Sequence, residues 1–303
     1  LAANRELAYL PSVYQSLGAE LQKLVPNPFY GVIETGGLSN RNVTLGTTLR
    51  LFPQFTSAGG LEHWASSIYH SMTFRAERRF ASGFALLASY VWSKLIDDNL
   101  GNGANGFFNS GNNGVENWDD LRSERAVSSI NLPHRLVMSG LWDLPFARGK
   151  KGIYGALAGG WQVNSIVTMQ SGEPIGVTQN GVAFGGFRPN LVGNPKLDNP
   201  AIERWLNPDA FEIIPAFTFG NAPRNLPSTR TDSLFMWDFS VLKNVAVTER
   251  VRAQLRGEFF NFTNTPTFGN PNANRSSAGF GIVSGLATNV DPRRVQLALK
   301  LIF

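Results

Sequence analysis

The chain has no cysteine, which excludes disulfides, thiolate metal sites and thiol nucleophiles. Histidine is scarce: His63, His70 and His134 stand far apart, so a packed or interfacial imidazole is expected at His70 in preference to a metal ligand. Charge is thin at 16% of residues, against roughly 25% in an ordinary soluble domain. The 27 basic and 22 acidic residues leave a net charge of +5, and the basic residues are scattered, so no nucleic-acid footprint is present. No apolar run approaches the roughly 18 residues of a transmembrane helix, a criterion that leaves strands of about 9 to 11 residues untouched. The sequence opens on Leu1 with neither Met nor a signal-peptide pattern, and is expected to be a mature or truncated product.

Glycine (31), proline (17) and aromatics (12%) are plentiful, a composition that favours turns and strands over helices. The 303 residues allow one β-barrel domain or two smaller ones. Period-two alternation dominates. In "SIYHSMTFRAERRF", Ile68, His70, Met72, Phe74, Ala76 and Phe80 fall on one face and Ser71, Thr73, Arg75, Glu77 and Arg79 on the other. A tight turn over 81–83 leads into "FALLASYVW", which predicts a hairpin. The pattern recurs in "RLVMSGLWDL", "GWQVNSIVTMQS", "FMWDFSVLK", "VRAQLRGEFFN" and "RVQLALKLIF".

A soluble sandwich alternates too, but the connections discriminate. They are short at 81–83, long at 94–133, moderate at 145–158, very long at 172–233, short at 244–250 and long at 262–293. Outer-membrane barrels combine short periplasmic turns with long extracellular loops and carry aromatic girdles at both interfaces. Phe80, Tyr90, Trp92, Trp142, Phe146, Trp161 and Phe235 lie near strand ends. The predicted fold is therefore an all-β, antiparallel transmembrane barrel portion of about seven or eight meandering strands, incomplete or open, over 66–303. Residues 1–65 are expected to be mostly extracellular loop, with an amphipathic helix carrying Val13, Leu17, Leu21 and Leu24. "NVTLGTTLRLF" is a weaker strand candidate.

An Arg at the lipid midplane costs about 2–4 kcal/mol. Arg75, Glu77, Arg79, Arg252, Gln254, Arg256 and Glu258 are therefore assigned to the lumen, as a salt-bridged wall in preference to a ligand site. The acids Asp97, Asp98, Glu116, Asp119 and Asp120 are expected on exposed loops, solvated. "GFGIVSG" and "RGKKG" miss the nucleotide-binding spacings. No catalytic group and no cofactor is expected, so the chain is not read as an enzyme.

Several segments in fixed order carry a family likeness: "LPSVYQSLGAELQKLVPNPFYG", "FPQFT", "SSIYHSMTFRAERRFASGFALLASYVWSKLIDD", "LPHRLVMSGLWDLPF", "FFNFTNTPTFGNPN" and "PRRVQLALKLIF". Together they resemble the C-terminal barrel region of TonB-dependent receptors, of the large Oar-like type bearing a carboxypeptidase-regulatory domain and common in Acidobacteria. The resemblance implies a barrel of about 22 strands plugged by an N-terminal domain, with uptake driven through the TonB complex. Neither plug nor TonB box is found here, so the chain is expected to be the last third or so of such a barrel. It would contribute wall and extracellular loops for active uptake of a bulky glycan, peptide or siderophore-like solute from the cell outer membrane. The TonB complex would engage only the missing part. The resemblance also makes Val295, Leu297, Leu299, Leu301 and Phe303, the last alternating row, a signal for the barrel assembly machinery, facing outer-membrane lipid. The competing readings are a stand-alone small porin or structural barrel, and a secreted soluble β-rich binding module.

Overall fold

The computed structural model describes residues 3–98, 115–147, 149–150, 152–248, 251–288 and 290–302. Seven long strands follow the alternating segments: β1 (Ser67–Ala81), β2 (Phe84–Asp97), β3 (His134–Asp143), β4 (Trp161–Gln170), β5 (Leu234–Ala246), β6 (Arg252–Phe260) and β7 (Arg294–Ile302). Each pairs antiparallel with the next in chain order, and the short strand Ala126–Val127 lies against the end of β2. The long connections 98–133, 171–233 and 261–293 all emerge at one end of the sheet, and the shorter ones, 82–83, 144–160 and 247–251, at the other. The fold is an all-β antiparallel meander whose sheet is open: β1 and β7 are each paired on one side only.

Directly opposed residues project from the same face, so the register sorts the side chains. One file runs Phe74, Tyr90, Leu136, Met169, Phe235 from β1 to β5. Another runs Phe84, Trp142, Val163, Val241, Gly257, Leu297 from β2 to β7. On the reverse face lie Arg75, Ser89, Val137, Thr168, Met236 and, farther along, Asn164, Ser240, Glu258, Gln296. One face is thus apolar across all seven strands, and the other mixed and polar. The straight count along β1 stops being a guide at a register break between Arg78 and Ala81. Arg78 itself lies on the apolar side opposite Leu86, its guanidinium 5.4 Å from the centre of the Phe84 ring. At a strand end such a cation reaches the interface along its own apolar stem.

The buried apolar core of the described residues is in the loops. Ile175, Val177, Leu206, Ala210, Phe211 and Leu226 pack together, with Leu191, Trp205, Ala273 and Phe280 against them. Phe211 and Phe280 meet edge to face at 5.7 Å. The sheet faces by contrast are open, Leu297 reaching 81% exposure.

Two expectations about the first 65 residues need correction. The predicted amphipathic helix is a pair of 3-10 turns over Ser12–Gln22, broken at Gly18, where φ is +52° and ψ is −127°. Without a Cβ, Gly18 takes this left-handed backbone at little cost and ends the helical run. Leu21 is buried but Val13 is 71% exposed, so no apolar stripe forms. The strand expected in "NVTLGTTLRLF" covers only Asn42–Thr44, paired with Leu24–Pro26, before a helical turn over Leu45–Thr48. Among the elements not anticipated, helix α1 (Gly152–Ala158) fills the connection between β3 and β4.

Candidate functional site

The polar face carries the residues assigned to the lumen. Arg75 and Glu77 lie on it and pair at 2.8 Å. Arg79, beyond the register break, brings its Nε to 3.9 Å from the same carboxylate. On β6, Arg252, Gln254, Arg256 and Glu258 occupy successive positions of the polar face, opposite Ala246, Asn244, Leu242 and Ser240. Gln254 donates to Asn244 Oδ1 at 2.8 Å, and Arg256 stands 3.8 Å from Glu258. The two groups share a face but not a contact, because β2, β3, β4 and β5 separate their strands. Each is a line of partly exposed pairs along its own strand, an arrangement worth about 0–1 kcal/mol per pair.

The terminal row holds the opposite face. Val295, Leu297, Leu299 and Leu301 oppose Phe259, Gly257, Leu255 and Ala253 on the apolar side, whereas Gln296, Ala298 and Lys300 face the polar side. Phe303 lies outside the described residues.

Above the strands, the loops enclose charge that sequence spacing does not reveal. Glu116 is not solvated as expected: its side chain is 2% exposed, with Arg188 at 4% and Glu124 at 0%. Arg188 grips Glu124 with two hydrogen bonds of 2.7 and 2.8 Å. The Glu116 carboxylate accepts from the backbone N–H groups of Phe187, Arg188 and Gly220. This close approach needs glycine: a Cβ on Gly186 would stand 1.7 Å from Glu116 Oε1, and one on Gly220 would stand 2.0 Å from the Arg188 carbonyl oxygen. Asp97, at the loop end of β2, is also buried and pairs with Arg224, which donates further to the carbonyls of Asp97 and Glu124. Arg230 ties the carbonyls of Asn131 and Gly172 together, and burial lowers its pKa from the ordinary value. A buried, charge-paired network of this kind fixes one arrangement of its chain segments. Here it locks residues 115–133 to the 171–233 loop and both to the sheet.

The N-terminal segment is fastened more lightly. Asp119 accepts from the Tyr9 hydroxyl at 2.8 Å and the Ser12 N–H at 2.5 Å. Partial burial opposes ionisation of Asp119, but these bonds outweigh it and hold the carboxyl below its ordinary value of 3.8; burial and the same carboxylate raise the Tyr9 phenol. Glu6 shows the same balance, burial being outweighed by the Ser57 hydroxyl and the N–H groups of Ala58 and Ala8. A carboxyl whose folded pKa is depressed contributes stability that is full above its unfolded pKa and is lost as pH falls through the folded one. Protection of the amides over residues 9–14, the exchange rate taken relative to the intrinsic rate at the same pH, is therefore expected to hold at neutral pH and to fall as pH drops below the ordinary carboxylate value. Asp119→Asn should lower it already at neutral pH. Unchanged protection in that variant would show that Asp119 does not hold the segment.

A polar cleft of about 530 Å³ opens where β4 and β5 enter the loops, lined among others by Glu173, Thr231, Asp232, Thr267, Asn270 and Thr288. Asp232 accepts from the Phe268 N–H on its wall. The strand residues at its floor, Gln170 and Leu234, belong to the polar face. Among the described residues no three His, Asp or Glu side chains converge in a geometry that holds a metal ion. The arrangement offers hydrogen-bonding groups for a polar solute.

No curated protein and no solved structure matches the chain. A family model described as "Outer membrane beta barrel domain" matches residues 7–296. That span takes in β1 to β6, the first three residues of β7 and every long loop. It agrees with the apolar face, the polar face and the sorting of loop lengths to the two ends of the sheet. The chain belongs to this family, and it is an outer-membrane protein.

Proposed function

We propose that the chain forms part of the wall and extracellular loops of a TonB-dependent transporter that takes up a bulky polar solute, and that it has no enzymatic activity of its own. The observation that carries this reading is the direction of the two sheet edges. Seven antiparallel strands leave β1 and β7 running the same way, so direct closure would require a parallel pair. Bacterial single-chain barrels have an even number of antiparallel strands, eight or more. Open edges in hydrocarbon leave backbone groups unsatisfied at several kcal/mol each. The sheet therefore calls for further strands between its edges, which is what a larger transporter barrel supplies. The loop cap and its polar cleft above the polar face supply the solute-contacting surface, the cap being held in one arrangement by the Arg188 and Arg224 pairs.

The absence of cysteine makes the test direct. Cysteine pairs joining polar-face positions of β1 (Thr73, Arg75) to those of β7 (Gln296, Ala298) are expected to form no disulfide within the chain under mild oxidation in the outer membrane. Efficient cross-linking would mean that the edges meet, and would favour the small stand-alone barrel. Uptake that persists in cells lacking the TonB complex would overturn active transport.

A further inference from the structure

Helix α1 has an unusual composition and setting for a periplasmic turn. Its sequence, "GIYGALA", contains no charged residue, and Ile153, Tyr154 and Leu157 are 80%, 68% and 69% exposed. At 100° per residue these three share one side of the helix, while Gly155 turns toward the chain, where a Cβ would clash with the Lys150 carbonyl. A seven-residue helix has no stability of its own in water, so something must hold it. Its last carbonyls do. Leu157 O accepts from Trp161 Nε1 at 2.9 Å and from Lys243 Nζ at 3.1 Å, and Lys243 also donates to Gly159 O.

Lys243 and Trp161 are directly opposed on the apolar face of the sheet, and the ammonium lies 5.1 Å from the indole centre. Lys243 is thus a buried cation on the predominantly apolar side, its charge met by the negative end of the helix and a π face. The helix overhangs the apolar face and leaves a groove of about 920 Å³, walled by Leu157 on one side and by Val241, Val245, Leu255, Leu297 and Leu299 on the other.

We propose that α1 is an interfacial helix, latched to the barrel wall by Lys243 and lying in the phospholipid leaflet on the periplasmic side, with an acyl chain occupying the groove. The lipid is the occupant because the groove is continuous with the apolar face of the sheet, the surface that an outer-membrane barrel turns to hydrocarbon. An apolar helix side at that level is buried by headgroups and acyl chains, and the neighbouring Lys150 gives the turn a cation facing anionic headgroups. In water the same three side chains would stand exposed as a contiguous apolar patch, a costly arrangement.

The inference rests on the outer-membrane placement of the sheet, and the test separates the two. Single cysteines at Ile153, Leu157, Leu299 and Asn190 in the otherwise cysteine-free chain would carry a nitroxide label, in vesicles of phosphatidylethanolamine and phosphatidylglycerol. Collision with oxygen relative to a water-soluble nickel complex reads the depth of each label. Ile153 and Leu157 are expected to match Leu299, with a ratio several-fold above that of Asn190 in the long loop. Lys243→Gln should shift Leu157 toward the aqueous ratio and leave Leu299 unmoved. Aqueous ratios at Ile153 and Leu157 beside a lipid ratio at Leu299 would overturn the interfacial helix alone. An aqueous ratio at Leu299 would overturn the membrane placement of the sheet, and the helix proposal with it.

Discussion

Arg188→Met should open the loop cap without unfolding the sheet. The substitution keeps most of the side-chain volume but removes the charge that faces Glu124 and Glu116. Glu116 retains its backbone N–H donors, whereas the Glu124 carboxylate, fully buried, keeps the Glu116 N–H but loses both guanidinium bonds. Removing one partner of a buried ion pair costs about 3–5 kcal/mol. At about 1.4 kcal/mol per factor of ten, the open population of the cap rises by at least roughly 100-fold. Limited proteolysis of intact cells should find new cleavage in 115–133 and 171–233, while the heat-modifiable gel mobility of the folded barrel is retained. Adding Glu124→Gln should recover part of the loss, since a neutral amide strands no charge. A cap as protease-resistant as the parent's in Arg188→Met would show that the pair does not hold the loops.

That prediction concerns the part of the molecule least legible in its sequence. Strands β1 to β7 announce themselves because a half-buried strand repeats every two residues, and seven such runs separated by turn residues leave little choice of topology. The grouping of long and short connections followed from the same runs, as did the common polar face of Arg75, Glu77, Arg252, Gln254, Arg256 and Glu258. Local exceptions were hidden: the bulge past Arg78 breaks the count, and Gly18 breaks a helical pattern that leucine spacing alone favours. The cap was hidden for a different reason. Glu124 meets Arg188 across 64 residues and Asp97 meets Arg224 across 127, so no local pattern connects them. Acids in Asn- and Gly-rich loops look solvated until another loop buries them. The one available hint was the cluster of glycines at 185, 186 and 220, whose missing Cβ atoms leave room for a carboxylate.

The second large effect tests the two faces of the sheet against each other at adjacent residues of β7. Leu297 opposes Gly257 on the apolar face, and Gln296 opposes Glu258 on the polar face. Leu297→Arg places a guanidinium near the middle of the strand on the side assigned to lipid, where the cost is about 2–4 kcal/mol. Gln296→Arg places the same group across from a carboxylate, where an opposite-charge pair adds about 0.2–1 kcal/mol. The two variants have the same length, the same introduced charge and one residue of separation, so composition, expression and edge position are matched and only the face differs. In guanidinium titrations of the protein folded into phospholipid vesicles, Leu297→Arg is expected to fall well below the parent in stability and Gln296→Arg to equal or exceed it. Leu299→Arg should behave like Leu297→Arg, because the row from Val295 to Leu301 shares one face. Equal losses at Leu297 and Gln296 would mean that neither face meets lipid, and a larger loss at Gln296 would turn the sheet inside out. The expected order follows from the alternation alone: a strand presents its neighbours to opposite solvents, and hydrocarbon discriminates against charge more strongly than a hydrated lumen does.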